Sequence, residues 1–295
     1  MKSRKSNSKL QLVVGIHPES YKLTDARLKK PVCFKQIDED VETGSMLVQD
    51  IDQVKIENDR LIYFTPNNVA ILLSVSNKSL TMARTIFYER FDPKKTKLDF
   101  QNIDEDKRAF LDTKSKDVCD YIEAIQTSII FGYTAVETFA NLSIPPDYVY
   151  QVKIKSKGTV ELYDKDAIER WISLKDKVLQ VLPDIYNTSL PDKKKSWSHF
   201  VKLEKYRHDI IHQKTINSTA FYKTYFQRDI FDICASAEQI IAFFYNQHAI
   251  NNRTNPLWPW LINSENYFPI SYEYDSSRVE VVGNIHEGYK RKSKQ

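Results

Sequence analysis

The stretch from about Lys116 to Leu142, KDVCDYIEAIQTSIIFGYTAVETFANL, constrains the fold most. It is apolar around much of its circumference when wound at 3.6 residues per turn, so it predicts a central helix that other elements must surround. Partners for it follow the same reading. Thr65 and Pro66 open a helix that runs with apolar spacing to Phe91 and is ended by DPKK. KDAIERWISLKDKVLQVL is helical in pattern and closed by Pro183, and a further helix begins near Ser196. The long segment from Phe221 to Gln247 carries Phe226, Ile230, Ile233, Ala237, Ile240 and Phe244 on one face. Four or five helices make a bundle.

Only 6 glycines in 295 residues argue against glycine-rich phosphate loops and turn-dense β architectures, which makes helix the default. Three smaller features interrupt it. QLVVGI, PVCFKQI and DQVKIENDRLIYF read as short strands in a mixed α/β region near the N-terminus. YVYQVKIKSKGTVELYD alternates on both sides of Lys157-Gly158 and predicts a small hairpin insertion. The Trp- and Pro-rich NPLWPWLINSENYFP and the alternating SYEYDSSRVEVV predict a C-terminal tail or hairpin, with the tryptophans capping the bundle. The expected class is mainly α, divided into residues 1–110, a bundle over 111–250 and a tail over 251–295. Residues 1–9 are polar and basic and read as a disordered tail.

Several function classes are disfavoured. Cys33, Cys119 and Cys234 stand far apart with no CxxC pair, so neither a disulfide framework nor a thiolate zinc site is indicated, and a reducing cytoplasm fits. No run reaches the length of a membrane span, and the basic start lacks a signal-peptide pattern. A net charge of +4 gives only mild attraction to polyanions. There is no P-loop, dinucleotide-binding glycine pattern or G-x-S-x-G elbow.

Winding the segment from Ser196 as a helix puts Trp197, Phe200, Leu203, Ile210 and Ile211 on one arc, and Arg207 falls inside it. Lys202, Lys205, Asp209 and Gln213 take the opposite face, while Glu204, His208 and His212 lie along the border. An arginine in an apolar arc is costly unless something answers its charge. Glu137, beside the stripe formed by Tyr133 and Ala140 on the central helix, is the candidate. The alternative is that Arg207 snorkels and Glu137 pairs elsewhere.

The run RHDIIH, Arg207 to His212, resembles the R-x4-H motif of HEPN-domain ribonucleases, where the residue after the arginine is commonly Asn, Asp or His. AVETFAN, the two intervening helical segments and the long closing helix resemble that family's order over roughly Lys116 to Gln247. The resemblance implies a HEPN-like bundle that forms a homodimer and cleaves RNA without metal or cofactor, cytoplasmic, in a toxin–antitoxin or phage-defence system with an antitoxin or defence partner protein.

It further implies that His212 transfers protons, Arg207 holds the phosphate, His208 orients it and Glu137 positions Arg207. An imidazole titrating near neutral pH suits the first role, and a guanidinium suits the second. Some HEPN toxins carry a modifiable tyrosine two residues after the motif histidine, but Lys214 stands there, so that route of silencing is not implied. Lys205 and Lys214 are candidates for RNA-backbone contacts.

Two rival readings remain. HDIIH spaces His208 and His212 as in H-E-x-x-H zinc helices, but Asp209 is a methylene short, no third ligand follows, and Arg207 repels a cation. A non-catalytic HEPN-like module binding RNA, a nucleotide or a protein is the stronger alternative.

Overall fold

The computed structural model describes residues 9–96, 98–102, 106–154, 158–213, 215–216, 219–249, 257–261, 268–272 and 279–289. The expected terminal tail at residues 1–9 falls almost entirely outside them. The chain is mainly helical with a mixed sheet, and it divides into two compact units, 1–70 with 245–295 and 71–244. The expected divisions at 110 and 250 therefore differ from the observed ones. The first helix joins the helical unit some forty residues earlier than expected, and the tail joins the N-terminal strands.

In the first unit, strands β1 (Lys9–Gly15), β2 (Val32–Asp38), β3 (Val41–Ile56) and β4 (Asp59–Phe64) follow one another. The β2–β3 turn is made by Glu39 and Asp40, both at positive φ, which suits the right-handed twist of a tight hairpin. β3 is the hub. Val48 pairs with Val13 on one side and Val32 on the other, while Ile51 pairs with Leu10 and Phe64, so β2 and β4 share one edge of β3 and β1 takes the other.

The C-terminal segments complete this sheet. β7 (Ile270–Ser271) runs parallel to β2, β8 (Val279–Asn284) runs parallel to β1, and β9 (Gly288–Tyr289) folds back on β8. Trp258 and Trp260 are buried in this unit, Trp258 edge-on to Tyr245 and Trp260 stacked with Tyr21. Their partners here are residues of the sheet unit rather than the expected bundle.

Lys30 lies among these rings. It is 3% exposed, its ammonium sits 4.6 Å from the Tyr245 ring centre and 4.7 Å from that of Trp260, and it donates to the Tyr245 hydroxyl at 3.2 Å. Burial lowers its pKa from 10.5 to about 8, so between those values the unfolded chain holds a proton that the folded chain has released. Stability therefore rises as pH increases through that window. Denaturant midpoints of the wild type measured against Lys30→Met from pH 7 to pH 10.5 should show the wild type gaining relative to the variant. The gain is at most of order 3 kcal/mol, reduced by the ring faces that favour the cation.

The second unit is organised by α2 (Lys107–Ser143), 37 residues and about 55 Å long. It starts well before Lys116 because the Asp106 side chain caps it by accepting from the Arg108 N–H. α1 (Asn68–Ile86) begins after Asn67, whose side chain accepts from the Ala70 N–H, and it continues as a π-helical turn over Phe87–Phe91. Within this unit α1 and α2 approach closely at Gly132. A Cβ there would stand 3.0 Å from Ser76 Oγ and 3.2 Å from Ala237 Cβ of α7 (Ile230–Ala249), so a larger residue would force these neighbours apart by a few tenths of an ångström.

The hairpin β5 (Tyr150–Ile154) and β6 (Thr159–Tyr163) is antiparallel as expected, and its Tyr150 and Tyr163 pack against a cluster of Ile144, Ile168 and Val181. α3 (Lys165–Trp171), α4 (Leu174–Asp176) and α5 (Leu182–Tyr186) follow. Pro183 does not end the helical run: a π-helical turn over Lys177–Val181 precedes it, and its wider hydrogen bonding accommodates the missing N–H. α6 (Lys195–Ile211) buries Trp197, Phe200 and Leu203. The closing segment is not one helix. A 3-10 turn spans Ala220–Phe226, Gln227 is extended, and α7 starts at Ile230, with Asp229 paired to Lys202 at 2.7 Å.

Candidate active site

The motif occupies the last turns of α6. Arg207 is half-buried, and its guanidinium carbon lies 5.1 Å from the centre of the Tyr133 ring on α2. That ring is also stacked against Phe200, at 6.2 Å and 6° between planes, so the surface beneath the guanidinium is fixed by packing. Tyr133 donates its hydroxyl to Glu204 Oε1 at 3.3 Å. Burial first, then the nearby Glu204 and Glu137 carboxylates, hold its phenol well above the usual value, while Arg207 pulls the other way. Tyr133 therefore stays a neutral donor and a π face for the guanidinium.

The expected direct answer of Glu137 to Arg207 is corrected by this geometry. No salt bridge joins them among the described residues; Glu137 lies within electrostatic reach of both Tyr133 and Lys177. Lys177 is 2% exposed and donates to Asn141 Oδ1 at 2.8 Å and to the Glu169 carbonyl at 3.0 Å. Burial lowers its pKa, and Glu137 and Glu169 oppose that fall. Glu137 thus faces Lys177 electrostatically rather than pairing with Arg207.

His208 and His212 are exposed, with ring centres 4.6 Å apart and planes inclined by 46°. They come together because they are four residues apart where the helix ends. The His212 N–H closes the last turn onto the His208 carbonyl at 2.9 Å, and its backbone then leaves helical geometry. The apolar arc fades before this point. Ile211, placed on the buried arc by its spacing, is 52% exposed because the helix stops there. Lys214 lies outside the described residues, and Lys205 is exposed.

Sequence reasoning brought Arg207, His208 and His212 to one helix end and missed Tyr133 and Glu204 as the groups that hold the guanidinium's surroundings. The available signal was Tyr133 one helical turn before Glu137, with Glu204 one turn before Arg207. Among the described residues no group of three or more His, Cys, Asp or Glu converges as a cation site. None of the described helices is long and apolar enough to cross a membrane. The chain matches no known family, no curated protein and no solved structure.

Proposed function

We propose that the chain is a metal-independent HEPN-type endoribonuclease, acting as a cytoplasmic homodimer in a toxin–antitoxin or antiphage system. The observation that carries this reading is a guanidinium seated on the Tyr133 ring at the same helix end as two exposed, adjacent imidazoles. In the reaction the RNA 2′-oxygen attacks the neighbouring phosphorus as His212 accepts its proton. The P–O5′ bond breaks, and the leaving oxygen takes a proton from His212 of the partner subunit, giving a 2′,3′-cyclic phosphate and a 5′-hydroxyl. Two copies are required because one imidazole cannot accept and donate in the same step. Arg207 binds the phosphate and stabilises the charge that accumulates on it. His208 orients the phosphate, and Tyr133, held by Glu204, positions Arg207.

Two isoleucines at and just after the motif are exposed, Ile211 at 52% and Ile216 at 87%, and a second copy docked there would cover them. The test is incubation of pure protein with structured and unstructured RNA in EDTA, with analysis of the product ends. Cyclic phosphate ends formed in chelator are expected; no cleavage, or cleavage that needs added metal, overturns the reading.

The non-catalytic reading has one observation in its favour, the engagement of Arg207 by Tyr133, which a purely structural arginine would also show. Saturable RNA binding with intact RNA after prolonged incubation would select it.

A further inference from the structure

Away from the α6 site, the helical unit contains a cavity of about 700 Å³, within the size range of small-molecule sites. Its wall begins with the π-helical turn Phe87–Phe91, where Phe87 meets Phe231 edge to face at 5.5 Å and Phe91 meets Phe226 at 5.6 Å. Such turns are frequent at functional sites, because the wider turn displaces side chains from the regular helical stripe. Phe91 and Phe231 are buried, whereas Tyr88 is half open to solvent, so ring faces and edges line the space from its interior outward.

Two cations share this lining. Lys94 and Arg228 are both exposed, and the carboxylates nearest them in sequence are otherwise engaged. Asp229 pairs with Lys202 at 2.7 Å, and Asp92 Oδ1 accepts from the backbone N–H of Lys94 at 3.0 Å. Neither cation has a salt-bridge partner among the described residues. Aromatic walls suit a flat ring, and two uncompensated cations suit an anion attached to it.

We propose that this cavity binds a nucleotide, with the base against the Phe87, Phe91 and Phe231 rings and the phosphate at Lys94 and Arg228. Base stacking on aromatic side chains with phosphate held by Arg and Lys is a recurrent means of holding single nucleotides, whether free or within a strand. The inference is independent of the cleavage reading, since none of its residues belongs to the α6 motif.

The test is calorimetric titration of the full chain with AMP, adenosine, ribose 5-phosphate and a six-residue oligoadenylate RNA. AMP binding is expected to exceed that of adenosine and of ribose 5-phosphate, and Arg228→Glu and Lys94→Glu should each weaken it about tenfold or more. Both side chains are exposed, so unchanged thermal midpoints will show that the variants fold. Binding must persist in His212→Ala, which separates this site from the motif. Tighter binding of the oligonucleotide than of AMP would mark the ligand as a strand nucleotide, and the reverse as a free one; both support the proposal. Absence of saturable binding to either at millimolar concentration, or binding indifferent to both charge reversals, overturns it. So does uptake of the uncharged probe N-phenyl-1-naphthylamine that AMP fails to displace, which would assign the space to an apolar ligand.

Discussion

His212→Ala is expected to slow RNA cleavage by about 10²- to 10⁴-fold, the range associated with loss of a positioned general acid or base. The fold should be spared, because the link that closes α6 uses the His212 backbone N–H and the side chain is exposed. Its thermal midpoint should therefore stay close to wild type, as for most surface substitutions. The proposed mechanism makes a further demand. A dimer with one wild-type and one His212→Ala subunit should be strongly impaired rather than half-active, since each bond cleavage draws on both imidazoles. An equally active His212→Ala would remove His212 from the chemistry, and mixed dimers retaining half the wild-type rate would overturn the two-imidazole step.

Phe139→Ala should destabilise the helical unit by about 3–5 kcal/mol. The ring is fully buried on α2, 6.3 Å from Tyr186 and 6.3 Å from Phe244, so truncation leaves a void bordered by large side chains that cannot readily collapse. Urea denaturation measures the loss. A change below about 1 kcal/mol would mean that the surrounding helices close the gap, contrary to the close packing of Tyr186 and Phe244 around the ring. Ile211→Ala provides the contrast. Its exposed side chain predicts a change within about 0.5 kcal/mol in the monomer.

The helices were legible where they bury a stripe, as in α2 from Tyr121 to Ala140 and α7 from Ile230 to Phe244. The first turns of α2 were not, because residues 107–117 are largely exposed and leave no apolar periodicity. Pro183 misled for a local reason: a π-helical turn absorbs its missing donor, and no simple residue pattern announces such a turn. The gap before α7 was hidden because Phe226 and Ile230 keep helical spacing across a stretch in which Gln227 is extended. Strand pairing in the sheet unit was the least legible. The union of β1 with β8 joins segments from opposite ends of the sequence, and neither local pattern names its partner.

At the candidate site the exposed imidazoles were readable from helical spacing, and so was the guanidinium within the apolar arc. What answers Arg207 was not. A cation over an aromatic face leaves no pattern of opposite charges in the sequence, so the search for a counter-ion led to Glu137 instead of the Tyr133 ring. The electrostatic link of Glu137 to Lys177, forty residues further along the chain, is likewise not displayed by local spacing.

The pairing of Lys9 with Val279 sets an order of assembly during translation. Residues 71–244 emerge from the ribosome as one continuous stretch and have all their own packing partners before the C-terminal strands are made. β1 meanwhile keeps an open edge, because β8 is synthesised after the whole helical unit. The helical unit can therefore pack first, and the sheet is sealed only once β8 has been made.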